Sequence, residues 1–202
     1  MEEITLTELQ RDALQELANI GAGNASTALS QMVNKTIQME IPKVDLVDIS
    51  KVRGTMHIED IVVGVFMRIS REIPSYVLLL IPERSAFSLA GLLTGDSTPK
   101  EMLSELDQSA IQEVANVMIC AFFNSISEML GMSIMPDPPK LAYDILDAVI
   151  DYVLIQIGQI TNELLVFDLE LKEEEEDQFT MHMCLLPEPN SIKTILEKLN
   201  VL

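Results

Sequence analysis

Residues 8–43, ELQRDALQELANIGAGNASTALSQMVNKTIQMEIPK, and residues 105–140, ELDQSAIQEVANVMICAFFNSISEMLGMSIMPDPPK, align without a gap at an offset of 97. Identical pairs include Glu8/Glu105, Leu9/Leu106, Ala13/Ala110, Gln15/Gln112, Glu16/Glu113, Ala18/Ala115 and Asn19/Asn116. The series continues with Ser30/Ser127, Met32/Met129, Ile37/Ile134, Pro42/Pro139 and Lys43/Lys140. About a third of the positions agree, where chance supplies roughly one in sixteen, so the chain is read as an internal duplication. Two copies at so long a period do not make a solenoid. They fit one domain built from two α/β halves, about 1–97 and 98–202, related by a pseudo-twofold axis.

Each copy opens with a long helical pattern. The first runs from about Thr5 to Val33, with Leu6, Leu14, Leu17, Ala18, Ala25, Ala28 and Leu29 on its apolar side. Thr5 or Thr7 is placed to cap it, with Glu8 three residues after Thr5 in capping-box fashion. Gly21 and Gly23 each cost about 1 kcal/mol relative to Ala inside a helix, so this step points to close packing or a kink. Beyond Pro42 the period changes, and Lys43–Val52, Ile58–Ile69 and Tyr76–Pro82 read as strands, with a turn at Arg71–Pro74. A short helix from Arg84 to Leu93 follows, stopped by Gly95. The second copy repeats the plan: a helix from about Met102 to Leu130, a Pro-rich linker at Met135–Pro139, and a partly helical apolar stretch, Leu141–Ile157. A strand pair at Ile160–Leu171 and Phe179–Leu186 comes next, then a closing helix at Ser191–Leu199. The acidic run Glu173–Asp177 reads as a solvated hairpin turn.

Thirteen basic residues against 32 acidic give a formal charge of −19, which repels phosphate backbones and argues against a nucleic-acid ligand. The apolar content of 48% is ample for a core and excludes wholesale disorder. Two cysteines, Cys120 and Cys184, are too few for a disulfide framework, and no His/Cys cluster has zinc spacing. The acidic N-terminus lacks the pattern of a signal peptide, and no unbroken apolar run approaches the roughly 18 residues of a membrane span. The expectation is a cytoplasmic protein with no membrane insertion.

The duplicated polar residues are more informative than the apolar ones. At 100° per residue, Asp12, Glu16, Asn19 and Gly23 fall within a stripe about 60° wide, opposite the apolar side. Ser109, Glu113, Asn116 and Cys120 occupy the equivalent stripe of the second helix. A single Glu–Asn pair one turn apart is ordinarily a solvated face. Its retention in two diverged copies is not explained by helix propensity, because Asn is a mediocre helix former.

The pattern Asp/Ser-x3-Glu-x2-Asn-x22-Pro, read as Asp12, Glu16, Asn19, Pro42 and again as Ser109, Glu113, Asn116, Pro139, resembles the signature of the CheC/CheX/FliY phosphatases of chemotaxis. The resemblance covers essentially the whole chain. It implies an α/β fold whose halves contribute antiparallel strands to a sheet, with the two signature helices displayed on one side. The implied activity is hydrolysis of the aspartyl phosphate on the response regulator CheY. Neither Cys is followed by Arg at phosphatase-loop spacing, and no metal-pair cluster, P-loop or serine elbow occurs. An auxiliary hydrolase of this kind needs none, because CheY brings its own Mg²⁺ and Lys, and phosphoryl transfer is largely positioning and electrostatics. The resemblance implies that Asn19 and Asn116 position water, that Glu16 and Glu113 pair with the regulator's Lys, and that Asp12 and Ser109 assist docking. Pro42 and Pro139 would shape the chain after each helix, and no cofactor of its own is implied.

The resemblance also implies a second partner, the receptor deamidase CheD, on the segment Asp144–Ile157. There Asp147 and Asp151 stand four apart on one helical face, and Val149, Tyr152, Val153 and Ile157 are candidate apolar contacts. The alternative reading is a non-catalytic CheD-binding regulator or flagellar-switch scaffold with vestigial sites. Cys120 reads as a small packing residue.

Overall fold

The computed structural model describes residues 6–48, 61–95, 98, 100–157, 163–173, 179–188 and 190–202. Strand residues expected at 49–52 and 58–60, and most of the acidic turn, lie outside these. Helix α1 spans Glu8–Val33 and is followed by strands β1 (Ile37–Asp48), β2 (Ile61–Arg71) and β3 (Ser75–Pro82), then helix α2 (Glu83–Thr94). Helix α3 (Glu105–Leu130) begins the second series: β4 (Ile134–Pro136), β5 (Lys140–Ile145), α4 (Leu146–Ile157), β6 (Glu163–Glu173), β7 (Phe179–Pro187) and α5 (Ser191–Lys198).

Both long helices start on capping boxes. Thr7 accepts from the Gln10 N–H while the Gln10 side chain accepts from the Thr7 N–H, so the partner in the box is Gln10 and not Glu8. Ser104 and Asp107 make the same reciprocal pair for α3. Gly95 ends α2 and Gly131 ends α3, each with positive φ, the left-handed conformation that glycine adopts without steric cost.

Among the described residues, seven strands form one antiparallel sheet in the order β1–β6–β7–β3–β2–β4, with β5 also pairing β2. The expected α/β class and antiparallel sheet are borne out. Strands β4 and β5 share one edge of β2, facing Ile69–Arg71 and Ile61–Phe66 respectively. Of the stretch Leu141–Ile157, expected to be partly helical, residues up to Ile145 are therefore strand and the rest is helix. The order also exchanges elements. Strand β1 pairs with β6 across the repeat, and β4 and β5 pair with β2.

Odd-numbered residues of β2 and β3, such as Val63, Val65, Leu79 and Ile81, face the main core with α1 and α3. Val62, Phe66, Leu78 and Leu80 face a second cluster under α4. Covering on both faces explains why these strands read as continuous apolar runs. Helix α3 has the length and composition of a membrane span, but Ile111, Val114, Met118, Phe122 and Phe123 are spent on the core.

Gly21 carries the close approach between the two long helices. A Cβ there would lie 2.4 Å from the Phe122 ring. The counterpart positions in the repeat are Met118 and Ala25, so large and small are exchanged between the helices, and both line one small cavity with Phe122. This accounts for the absence of a glycine at the counterpart of Gly21 in the second copy. Gly23, by contrast, faces open space, so packing does not require it.

Candidate functional site

Asp12, Glu16, Asn19 and Gly23 are exposed on α1, opposite the buried Leu14, Leu17, Ala18 and Ala25. On α3, Ser109 and Glu113 are exposed, while Asn116 and Cys120 are half-buried. Among the described residues, no hydrogen bond or ion pair engages the carboxylates of Asp12, Glu16 or Glu113. Each is exposed and accessible to an incoming cation. The Ser109 hydroxyl donates back to the Glu105 carbonyl at 2.8 Å, as Ser commonly does inside helices.

Asn19 is exposed but not loose. Its Oδ1 accepts the Ile41 backbone N–H at 3.2 Å. That N–H is available because the β1–β6 register shifts between Glu40 and Lys43: Glu40 faces Glu170, Lys43 faces Asp168, and two residues of β1 oppose one of β6. A bulge of this kind turns backbone groups out of the ladder, and Pro42 inside it has no N–H to offer a ladder. The Ile41 carbonyl also turns toward α1 and accepts Gln15 Nε2 at 3.4 Å.

The second site is built from the same side chains with one donor changed. Gln112 Nε2 donates to the Pro139 carbonyl at 3.0 Å, the counterpart of the Gln15 contact. The Ile41 N–H has no equivalent, because Pro138 and Pro139 occupy that stretch. Asn116 Oδ1 instead accepts the Cys120 thiol at 3.6 Å. Burial, and then the nearby Glu113 carboxylate, push the Cys120 thiol above its ordinary range, which keeps the S–H in place to donate.

Sequence reasoning singled out the Glu and Asn residues but gave no role to Gln15 and Gln112, though both appear in the repeat as an identical pair. It also left aside Leu9 and Leu106. These identical residues are 65% and 70% exposed at the amino-terminal end of each stripe. On α4, Asp147 and Asp151 are exposed, as are Tyr152 and Ile155. Val149 and Val153 are each only 2% exposed and pack on the sheet, which removes them as docking contacts. The side chain of Ile157 lies outside the description. No group of three His, Cys, Asp or Glu among the described residues has the arrangement of a metal site.

A family profile described as "CheC-like family" matches residues 9–45, the span that holds the first stripe and its bulge. The chain carries the CheC-like signature. The resemblance read from the sequence is thus borne out, and similarity to a relative extends it over nearly the full length. The chain is 25% identical over 195 residues to the CheY-P phosphatase CheC of Bacillus subtilis strain 168, covering 94% of this chain and 93% of that one. In fold it is similar to Thermotoga maritima FliY, with a TM-score of 0.81 and 24% identity over 98% of both chains. It is also similar in fold to the CheX–CheY–BeF3–Mg²⁺ complex from Borrelia burgdorferi, with a TM-score of 0.55 and 14% identity over 84% of this chain and 96% of that one.

Proposed function

We propose that the chain is a CheY-phosphate phosphatase with one site on each long helix. The observation that carries this reading is the duplicated Glu–Asn stripe, whose carboxylates have no partner among the described residues and whose asparagines have their amide oxygens held. The carbonyl oxygen of Asn19 or Asn116 has two lone pairs, so it can accept a hydrogen bond from the attacking water while keeping its own hydrogen bond. Water held in line attacks phosphorus, the P–O bond to the regulator's aspartate breaks, and inorganic phosphate leaves as the carboxylate is restored. Mg²⁺, carried by phosphorylated CheY, would neutralise the charge developing on the phosphoryl oxygens. Glu16 and Glu113 attract the regulator's Lys, Asp12 and Ser109 flank the contact, and Leu9 and Leu106 add apolar area beside it.

The test is phosphate release from CheY charged with acetyl phosphate in Mg²⁺. The combined variant Asn19→Ala, Asn116→Ala is expected to lose all stimulated release while its stability stays within about 0.5 kcal/mol of the parent. Release at the parental rate by that variant would remove water positioning from the mechanism.

The outward side of α4 supports a further contact, with CheD. Asp147, Asp151, Tyr152 and Ile155 are exposed there, on the sheet face opposite the signature helices. Asp151→Lys is expected to weaken CheD binding and spare hydrolysis. Undisturbed CheD titration would place that contact elsewhere and would leave the non-catalytic CheD-binding reading without a surface.

A further inference from the structure

Two asparagines that look equivalent in sequence are held by different means. Asn19 is exposed, and its amide is fixed by a backbone N–H on a strand that is itself paired over ten residue positions. Asn116 is half-buried, and among the described residues its amide oxygen meets a thiol, a weak donor, at 3.6 Å. The cause is in the covalent chemistry of the edge. Counting by the repeat, Ile41 corresponds to Pro138; counting by the glutamine contact, it corresponds to Pro139. Neither has an N–H.

We propose that the Ile41 peptide is a positioning group of the first site, and that its loss at Pro138–Pro139 makes the second site the slower of the two, with Cys120 as a weaker substitute. This rests on the phosphatase reading above. A catalytic side chain already held before the partner arrives does not have to be frozen during reaction, and the worth of freezing one side chain sets the expected difference at roughly threefold to tenfold in rate.

Single-site proteins separate the terms. Asn116→Ala leaves only the first site and Asn19→Ala only the second. With phosphorylated CheY as substrate, the first is expected to have the higher kcat at similar KM. In the Asn19→Ala background, Cys120→Ala should lower kcat further, Cys120→Ser should preserve it, and Pro138→Ala or Pro139→Ala should raise it by restoring an N–H. NMR relaxation of the side-chain amides should give Asn19 a higher order parameter than Asn116 in the free protein. Equal or reversed kcat values for the two single-site proteins, or no gain from either proline variant, would overturn the proposal. Activity surviving in the double-asparagine variant would instead overturn the phosphatase reading on which it rests.

Discussion

Gly21 of α1 lies against the ring of Phe122 of α3, with room for a hydrogen and no more. A Cβ would meet three ring carbons at 2.4, 2.5 and 2.9 Å. Gly21→Ala is therefore expected to force the helices apart and to destabilise the fold by about 1–3 kcal/mol, as overpacking does. Two residues on, the sign reverses. Gly23→Ala meets nothing within 4 Å and gains helix propensity, so it should stabilise by up to about 1 kcal/mol. Chemical denaturation of the two variants side by side checks both.

Charge reversal at Glu16 and Glu113 should act on association and not on folding, since both are exposed and unpaired among the described residues. Glu16→Lys with Glu113→Lys is expected to slow the encounter with phosphorylated CheY and to weaken the complex, most visibly at low salt. Surface-immobilised binding at two ionic strengths measures it. An unchanged association rate would remove the glutamates from recognition.

On the other face of the sheet, Gly64 of β2 is to α4 what Gly21 is to α3. A Cβ at position 64 would come within 2.4 Å of Val149 Cγ1. Gly64→Ala should destabilise by displacing α4, and Val149→Ala should partly rescue it, although that change alone also costs stability. A double-mutant cycle should return a coupling of roughly 1 kcal/mol or more. Additive effects would mean that α4 does not rest where Gly64 lies.

The start of α3 is pH-sensitive. Asp107, only 1% exposed, accepts from Lys100 Nζ at 2.8 Å and from the Ser104 hydroxyl and N–H at 2.7 and 2.9 Å. The Lys100 contact first, and then the Ser104 hydroxyl, hold its carboxyl below the ordinary 3.8. A carboxyl more acidic in the folded chain contributes stability that is full above the unfolded pKa and is lost as pH falls below it. Acid titration followed by denaturation should give a loss of stability below about pH 4 that is smaller in Asp107→Asn, a variant already less stable at neutral pH.

The repeat was legible because identical residues at one fixed offset outweigh any local propensity, and it located both long helices within a few residues. Enrichment in Val, Ile and Leu located β2, β3, β6 and β7. It failed at 140–145, where Leu141 and Tyr143 pack toward one core and Ala142 toward the other. Apolar residues at 141–143 and 145 that run on into a helix give no change of period to read. Pro42 reads as the boundary before a strand, yet it lies inside β1, at the bulge. The consequence of that bulge was not readable, because the Ile41–Asn19 contact depends on how far β1 is shifted against β6, a strand more than a hundred residues away in sequence.

The exchange of edge strands has a bearing on ancestry and on dissection. The first site leans on β1, β1 is held by β6, and β6 belongs to the other repeat. A polypeptide limited to residues 1–97 would thus lose the support of its own asparagine, and it would leave β3 without β7. The seam between β3 and β7 is antiparallel, and like meets like across it, so two copies of one repeat can satisfy each other by trading their first strands. A severed repeat is accordingly expected to behave as a domain-swapped homodimer or not to fold. With the repeats joined in one chain, the side chains of either site can change independently, while neither half can be removed without unpairing strands of the other.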